Sequence, residues 1–199
     1  MTRVLVTAFD PFGGDRVNAS LEAVQQLPPS IAALAITTVE LPTSFRRSLT
    51  VLERAIARSQ PDIILCVGQA ADRATLCMER VAINLQDARI ADNDGAMPVE
   101  SPVVAGGPAA YFSTLPVKAT VSALLAAQLP AAVSNSAGTF VCNHVFYGLM
   151  HHVARQGRGM RAGLLHVPHV RRHADDTASM AIEDIVRGIV IALEVAVAS

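Results

Sequence analysis

One short run constrains the fold of this chain more than any other feature. Asp62-Ile-Ile-Leu-Cys-Val-Gly68 is almost continuously apolar between a carboxylate and a glycine. A half-buried strand would alternate, because successive side chains point to opposite faces. A run without alternation predicts a strand covered on both faces, the pattern of a parallel sheet packed between helices. Residues 4–9 form a second β-rich run, stopped by the loop signal Asp10-Pro-Phe-Gly-Gly14. Residues 34–41, 77–85 and 162–167 read as further strands.

Helical spacing fills the intervals. A short helix is predicted after Asn18 or Ser20 as N-cap, with Leu21, Val24 and Leu27 on one face, ending before Pro28-Pro29. A longer one runs from Thr43 through Phe45, Leu49, Leu52 and Ile56. Residues 115–129 carry a stripe of Val117, Val121, Leu124 and Leu125. Residues 142–155 form the strongest helix, with Val145, Leu149 and Val153 repeating every four. The last helix is predicted from Asp175 to about residue 197 through Ile182, Ile185, Ile189 and Leu193. Residues 131–140 are ambiguous, a short strand and a turn at Gly138. Alternating strands and helices of this kind predict an α/β fold, a single three-layer α/β/α domain over residues 1–199 around a mainly parallel (mixed) sheet. Ligand sites in such folds gather beyond the carboxyl ends of the strands. Here those are the loop at 10–14, the Gly68-Gln-Ala70 turn and the residues after Val167.

Composition narrows the function. Sixteen basic against seventeen acidic residues, a net charge of -1, leave no field for a phosphate backbone or an anionic membrane surface. No apolar stretch reaches the roughly 20 residues of a membrane span, and residues 188–199 are interrupted by Glu194. The start of the chain has too short an apolar run for a signal peptide. Nucleic acid and membrane partners are therefore not expected. Three sparse cysteines fit reduced thiols in a cytoplasm better than a disulfide framework.

Cys66 and Cys77 lie in or beside strands and read as small buried residues. Cys142 follows a glycine turn and opens the best helix, where the N-terminal partial charge is expected to lower its pKa. A buried cysteine at a helix start is the alternative. A thiol nucleophile needs a base, and six histidines are available: His144, His151, His152, His166, His169 and His173. His144 sits at i+2 from Cys142, on another side of the helix. His151 and His152 are explained by the helix C-terminus. His166 ends a buried run and is placed to point into a site at the sheet edge, or else is a hydrogen-bonded core histidine. Glu79, in mostly apolar surroundings, is the candidate third member, unless it forms a structural ion pair with Arg73 or Arg80. Asp62 and Glu40 are weaker candidates. No Cys-x-x-Cys, His-Glu-x-x-His or phosphate-loop pattern occurs, so no metal and no nucleotide are expected.

Several segments together resemble a known family. They are Thr7-Ala-Phe-Asp-Pro-Phe-Gly-Gly14 with Asn18, Val67-Gly-Gln69, Glu79-Arg-Val-Ala-Ile-Asn-Leu85 with Asp87-Ala-Arg-Ile90, and Asp92-Asn-Asp-Gly95. Gly107-Pro-Ala-Ala-Tyr-Phe-Ser-Thr-Leu-Pro116, Gly138-Thr-Phe-Val-Cys-Asn-His-Val-Phe-Tyr-Gly-Leu-Met150 and Leu165-His-Val-Pro168 complete the set. In order and from residue 7 to 168, they resemble pyroglutamyl peptidase I, a cysteine peptidase family. The resemblance implies removal of N-terminal pyroglutamyl (5-oxoproline) residues from peptides through a thioester acyl-enzyme, without a cofactor. It implies Glu79, Cys142 and His166 as the catalytic triad. It also implies Phe9 and Phe12 as a sandwich for the lactam ring, Asn18 and Gln69 beside it, and Phe140 and Val141 lining the pocket. Arg89 matches a family arginine near the active site, on the oxyanion side or simply exposed on its loop. The family resemblance further implies a cytoplasmic homo-oligomer, dimer or tetramer, with residues 94–116 as a candidate contact segment. Two alternatives remain: a thiol amidase acting on another lactam or small amide, and a silent binding protein that keeps the pocket. The chain departs from the family at His169-Val-Arg-Arg-His173, where an apolar-Pro-acidic stretch is usual. Arg171 and Arg172 there either alter leaving-peptide preference or face solvent.

Overall fold

The computed structural model describes residues 1–70, 73–156, 159–172 and 178–198. The chain begins with β1 (Thr2–Phe9), α1 (Ala19–Val24), β2 (Ser30–Ile31), β3 (Leu34–Leu41), α2 (Ser48–Ser59) and β4 (Ile63–Gln69). The middle holds β5 (Leu76–Glu79), β6 (Val81–Ile83), β7 (Ala110–Phe112), α3 (Val117–Ala126) and β8 (Ala131–Ser134). It closes with α4 (Val141–Gln156), β9 (Arg161–Val167), β10 (His169–Val170), β11 (Ser179–Met180) and α5 (Ile182–Ala198).

Seven strands form one sheet in the order β2-β3-β1-β4-β9-β5-β8. The central strands β3, β1, β4 and β9 are parallel, whereas β2 is antiparallel to β3 and β5 to β9. The sheet is therefore mixed. Every residue of β4 is buried, as its unbroken apolar pattern requires. One face carries Val4, Val6, Leu65, Val67 and Leu165, packed with Ala23, Leu124, Ile189 and Leu193 of α1, α3 and α5. The other carries Leu5, Phe9, Ile64, Cys66 and Leu164, packed with Leu52 and Ile56 of α2 and Val145, Phe146 and Leu149 of α4. Helices thus cover both faces, giving the three layers.

Two elements differ from their sequence pattern. The helix read from Thr43 begins only at Ser48. The Thr43 amide donates to Asp10 Oδ1 at 2.6 Å and the Phe45 amide to Asp92 Oδ2 at 2.8 Å, so side chains of distant loops hold this stretch outside the helix. The strand read over 77–85 is two strands that part at Arg80. Its N–H donates to Ser134 O, extending the main sheet, while its carbonyl accepts from Ser113 N beside the β6–β7 ribbon. The final helix starts at Ile182, after β11; its proposed start at Asp175 lies outside the described residues.

Candidate active site

Three strands and one helix end meet at the site. In the β4–β9 register Gly68 is opposite His166, and in the β9–β5 register His166 is opposite Cys77. The period of two then puts Gly68, His166, Cys77 and Glu79 on the face beneath α4. Cys142 lies in the first turn of α4, above them. His166 Nδ1 is 2.8 Å from Glu79 Oε1. With Glu79 ionised, Nδ1 carries the proton and donates, which leaves Nε2 as the basic nitrogen. A methyl group placed on Gly68 would lie 2.9 Å from Cys142 Sγ and 3.2 Å from His166 Nε2. Thiol and base therefore converge over the one residue of β4 that has no side chain.

Glu79 is fully buried, yet its Oε1 also accepts from Arg73 Nη1 at 2.9 Å. Its Oε2 has no partner among the described residues. A buried lone carboxylate would be costly; the guanidinium and the imidazole offset that cost. The ion-pair reading of Glu79 and its reading as partner of His166 are thus both correct in geometry, through the same oxygen. Arg80 instead reaches Asn135 Oδ1.

The thiol does not behave as its place on α4 alone predicts. Burial pushes Cys142 up to about 12, and the neighbouring Cys66 and Glu79 act in the same direction, against its own backbone N–H. Burial thus acts against the helix terminus, in the direction opposite to the expected lowering. Cys66 is likewise pushed up to about 12 by burial, with the Thr7 hydroxyl opposing.

A cleft of about 540 Å³ opens beside the sulfur, within the usual range of small-ligand sites. Cys142, His166 and Gln69 form its base, Phe12 and Phe140 one wall, and Arg89 and Ile90 part of the rim. Phe12 and Phe140 touch each other, centroids 5.8 Å apart. Gln69 Oε1 accepts from Ala19 N at 2.7 Å, which leaves the amide NH₂ as the end available to a ligand.

Phe9, Asn18 and Val141 do not line this cleft. Phe9 is on β1 in phase with Leu5 and Thr7, and is buried in the core under α4. Val141 precedes Cys142 by one helical position and turns into the same core. Asn18 spends its side chain on structure: Oδ1 caps α1 through Ser20 N at 3.0 Å, and Nδ2 donates to Asp10 O at 3.1 Å.

Sequence reading placed the Gly68–Ala70 turn at the ligand edge without giving Gly68 a role of its own, and it missed Asn143 and Phe45. Asn143, fully buried, exchanges hydrogen bonds with Ile83 N and O and donates to Leu85 O, fastening the first turn of α4 to β6. A polar residue directly after the nucleophile, in a helix with a strong apolar repeat, was the available signal. Phe45 stands edge-on to Phe140 and to His144. The other histidines are placed elsewhere: His151 Nδ1 meets Tyr111 OH at 2.9 Å, His169 lies in β10, and His173 is outside the described residues. Arg171 and Arg172 are both exposed; Arg171 also donates to Ser179 O, and Arg172 Nη2 donates to both carboxylate oxygens of Glu22 of α1. Among the described residues no three His, Cys, Asp or Glu side chains gather as metal ligands.

The class of protein this describes is a hydrolase acting through a cysteine thiol on a three-layer α/β fold. Comparison with known proteins is specific. The family model for pyroglutamyl peptidase matches residues 2–199. Pyrrolidone-carboxylate peptidase 1 of Ralstonia nicotianae is 52% identical over 198 residues, covering 98% of this chain and 92% of that one. The crystal structure of pyroglutamyl peptidase I from Bacillus amyloliquefaciens superposes with a TM-score of 0.96 at 44% identity, covering 100% of this chain and 98% of its own. Pyrrolidone carboxyl peptidase from Thermococcus litoralis gives the same TM-score at 33% identity, with 100% and 94% covered. The chain belongs to the pyroglutamyl peptidase family.

Proposed function

We propose that this chain removes N-terminal pyroglutamyl residues from peptides, with Cys142 as nucleophile, His166 as base and acid, and Glu79 as the group that orients His166. The observation that carries the assignment is the convergence of Cys142 Sγ and His166 Nε2 over Gly68 while Glu79 holds Nδ1. The thiol rests neutral, so its proton passes to His166 Nε2 as sulfur attacks the carbonyl carbon of the pyroglutamyl amide. The first N–H groups of α4, which a helix start leaves without intrahelical acceptors, are the donors we assign to the negative charge on the carbonyl oxygen. The C–N bond then breaks, His166 gives its proton to the leaving amine, and a thioester remains on Cys142. Water, deprotonated by His166, attacks the thioester and releases pyroglutamate. Thiol and imidazole are regenerated, and each step balances with water alone.

The substrate ring has no charged amine, and the cleft suits that: Phe12 and Phe140 supply apolar wall and Gln69 a free N–H donor. Asn18 acts at one remove, by holding the α1 N-terminus that orients Gln69. Arg89 has no hydrogen bond or ion pair among the described residues and is the open cation of the rim. We infer a cytoplasmic homo-oligomer, supported by three free cysteines and by exposed Met97, Val99 and Phe112. Light scattering on the purified chain tests the assembly: a mass above that of one chain is expected, and a monomer contradicts it.

A chromogenic pyroglutamyl amide tests the activity. The wild-type chain is expected to release the amine, and Cys142→Ala to lose at least about 10³-fold in kcat. Equal turnover by the variant overturns the nucleophile assignment.

A further inference from the structure

We infer that Arg73 is a positioning residue for the His166–Glu79 pair, and that it sets the pH at which His166 is free to accept a proton. The inference rests on the reading of His166 as the catalytic base and extends it to a residue outside the triad. Three contacts carry it. Arg73 Nη1 donates to the very oxygen, Glu79 Oε1, that faces His166 Nδ1. Arg73 Nη2 donates to Ser136 O at 3.1 Å, on the loop that leads through Gly138 to Cys142. Among the described residues Glu79 Oε2 has no partner, so these two donors are the ones that fix the rotation of the carboxylate there.

The geometry has an electrostatic consequence. A guanidinium and an imidazolium on one carboxylate oxygen repel each other, so Arg73 opposes the protonation of His166 that Glu79 favours. A cation on the same oxygen also favours the carboxylate form over the acid. Removing its charge makes the pair take up its first proton more readily at either site, and both changes have the same sign. Other groups face the pair from the packed elements. They are Cys142 of α4, Cys66 of β4 and Cys77 of β5, with Asp87 and Arg89 farther out along the cleft. Of these only Arg73 is a cation bonded to the pair. A merely structural brace through Ser136 would leave the titration where it is.

Two measurements test this. The first is the NMR titration of the His166 ring in Cys142→Ala, with His166→Gln to assign the signal, repeated with Arg73→Gln added. The apparent midpoint is expected to rise by about one pH unit or more. An unmoved or lowered midpoint overturns the inference, and Arg73→Met, also neutral, decides it if the glutamine variant does not fold. The second is kcat/KM against pH for Arg73→Gln and Arg73→Lys in the otherwise wild-type chain, on the chromogenic pyroglutamyl amide. The acid limb is expected to move up with Gln, with kcat falling at least tenfold and KM changing less, and to return toward wild type with Lys. A lysine variant that stays with the glutamine variant overturns the charge argument. Absence of wild-type turnover would contradict the peptidase reading alone, because the titration still decides the role of Arg73.

Discussion

Gly68 is the residue on which the arrangement turns. Its backbone is ordinary strand, so alanine there brings no conformational strain, only a methyl group 2.9 Å from Cys142 Sγ and 3.1 Å from the His166 ring. Gly68→Ala is expected to leave the melting temperature within a few degrees of wild type while kcat falls by about 10²-fold, the usual result of displacing reacting groups by an ångström. A variant of normal kcat would show that thiol and imidazole need not meet above this position. Cys142 and Cys66 share a raised pKa but not access: Cys66 is fully buried, whereas Cys142 is half-buried at the cleft. Iodoacetamide is therefore expected to label Cys142 first, as peptide mapping reads, and labelling of Cys66 ahead of it would contradict the site. The places of His166 at a strand end and Cys142 at a helix start were legible from position, while their pairing as candidates came from the family resemblance. What their sequence could not show is Gly68, since its role depends on the register of strands nearly a hundred residues apart.

At the scale of elements, Asn143 adds a polar fastening to the apolar face that buries α4. Asn143→Ala would strand the Ile83 N–H and the Ile83 and Leu85 carbonyls in a buried place. It is expected to cost about 3 kcal/mol of stability, measured by denaturant unfolding, and a change below about 0.5 kcal/mol would contradict the contact. The strands of the parallel centre were legible because apolar runs of that length have few other homes; β3 begins and ends where its pattern does. The start of α2 was not. The periodicity of Phe45, Leu49, Leu52 and Ile56 is genuine, but Asp10 and Asp92 take the amides of Thr43 and Phe45, and nothing local announces carboxylates that arrive from other loops. The break at Arg80 escaped for the same reason: its two backbone groups answer to different partners. Phe9 and Phe12 look alike beside the loop, yet Phe9, the last residue of β1, is buried in the core, and only Phe12, in the loop beyond it, lines the cleft.

Over the whole molecule, burial of titratable groups limits the pH range of the fold. His144 sits against Phe45 with neither ring nitrogen hydrogen-bonded among the described residues. Burial lowers it to about 4, against the weaker pull of Phe45 and Asp92. The unfolded chain protonates this group near pH 6.5 and the folded chain only near 4. Its contribution is therefore complete above 6.5 and lost as pH falls between them, on the order of 3 kcal/mol. Unfolding midpoints are expected to drop over that window in wild type and to drop less in His144→Phe; identical slopes would remove His144 as the cause. The thiols limit the other side. Cys66 and Cys142 rise from about 9 to about 12 on folding, so stability is full below 9 and lost as pH climbs toward 12. Between these limits β5, β9 and α4 bring carboxylate, imidazole and thiol together, and the central claim is that a covalent bond forms there. The direct measurement is intact-mass analysis of the chain quenched in acid during turnover of a pyroglutamyl ester or amide, followed by peptide mapping. The account predicts a mass gain of one pyroglutamyl acyl group on the peptide that contains Cys142, absent from Cys142→Ala; turnover with no adduct, or an adduct on Cys66 or Cys77, would contradict it.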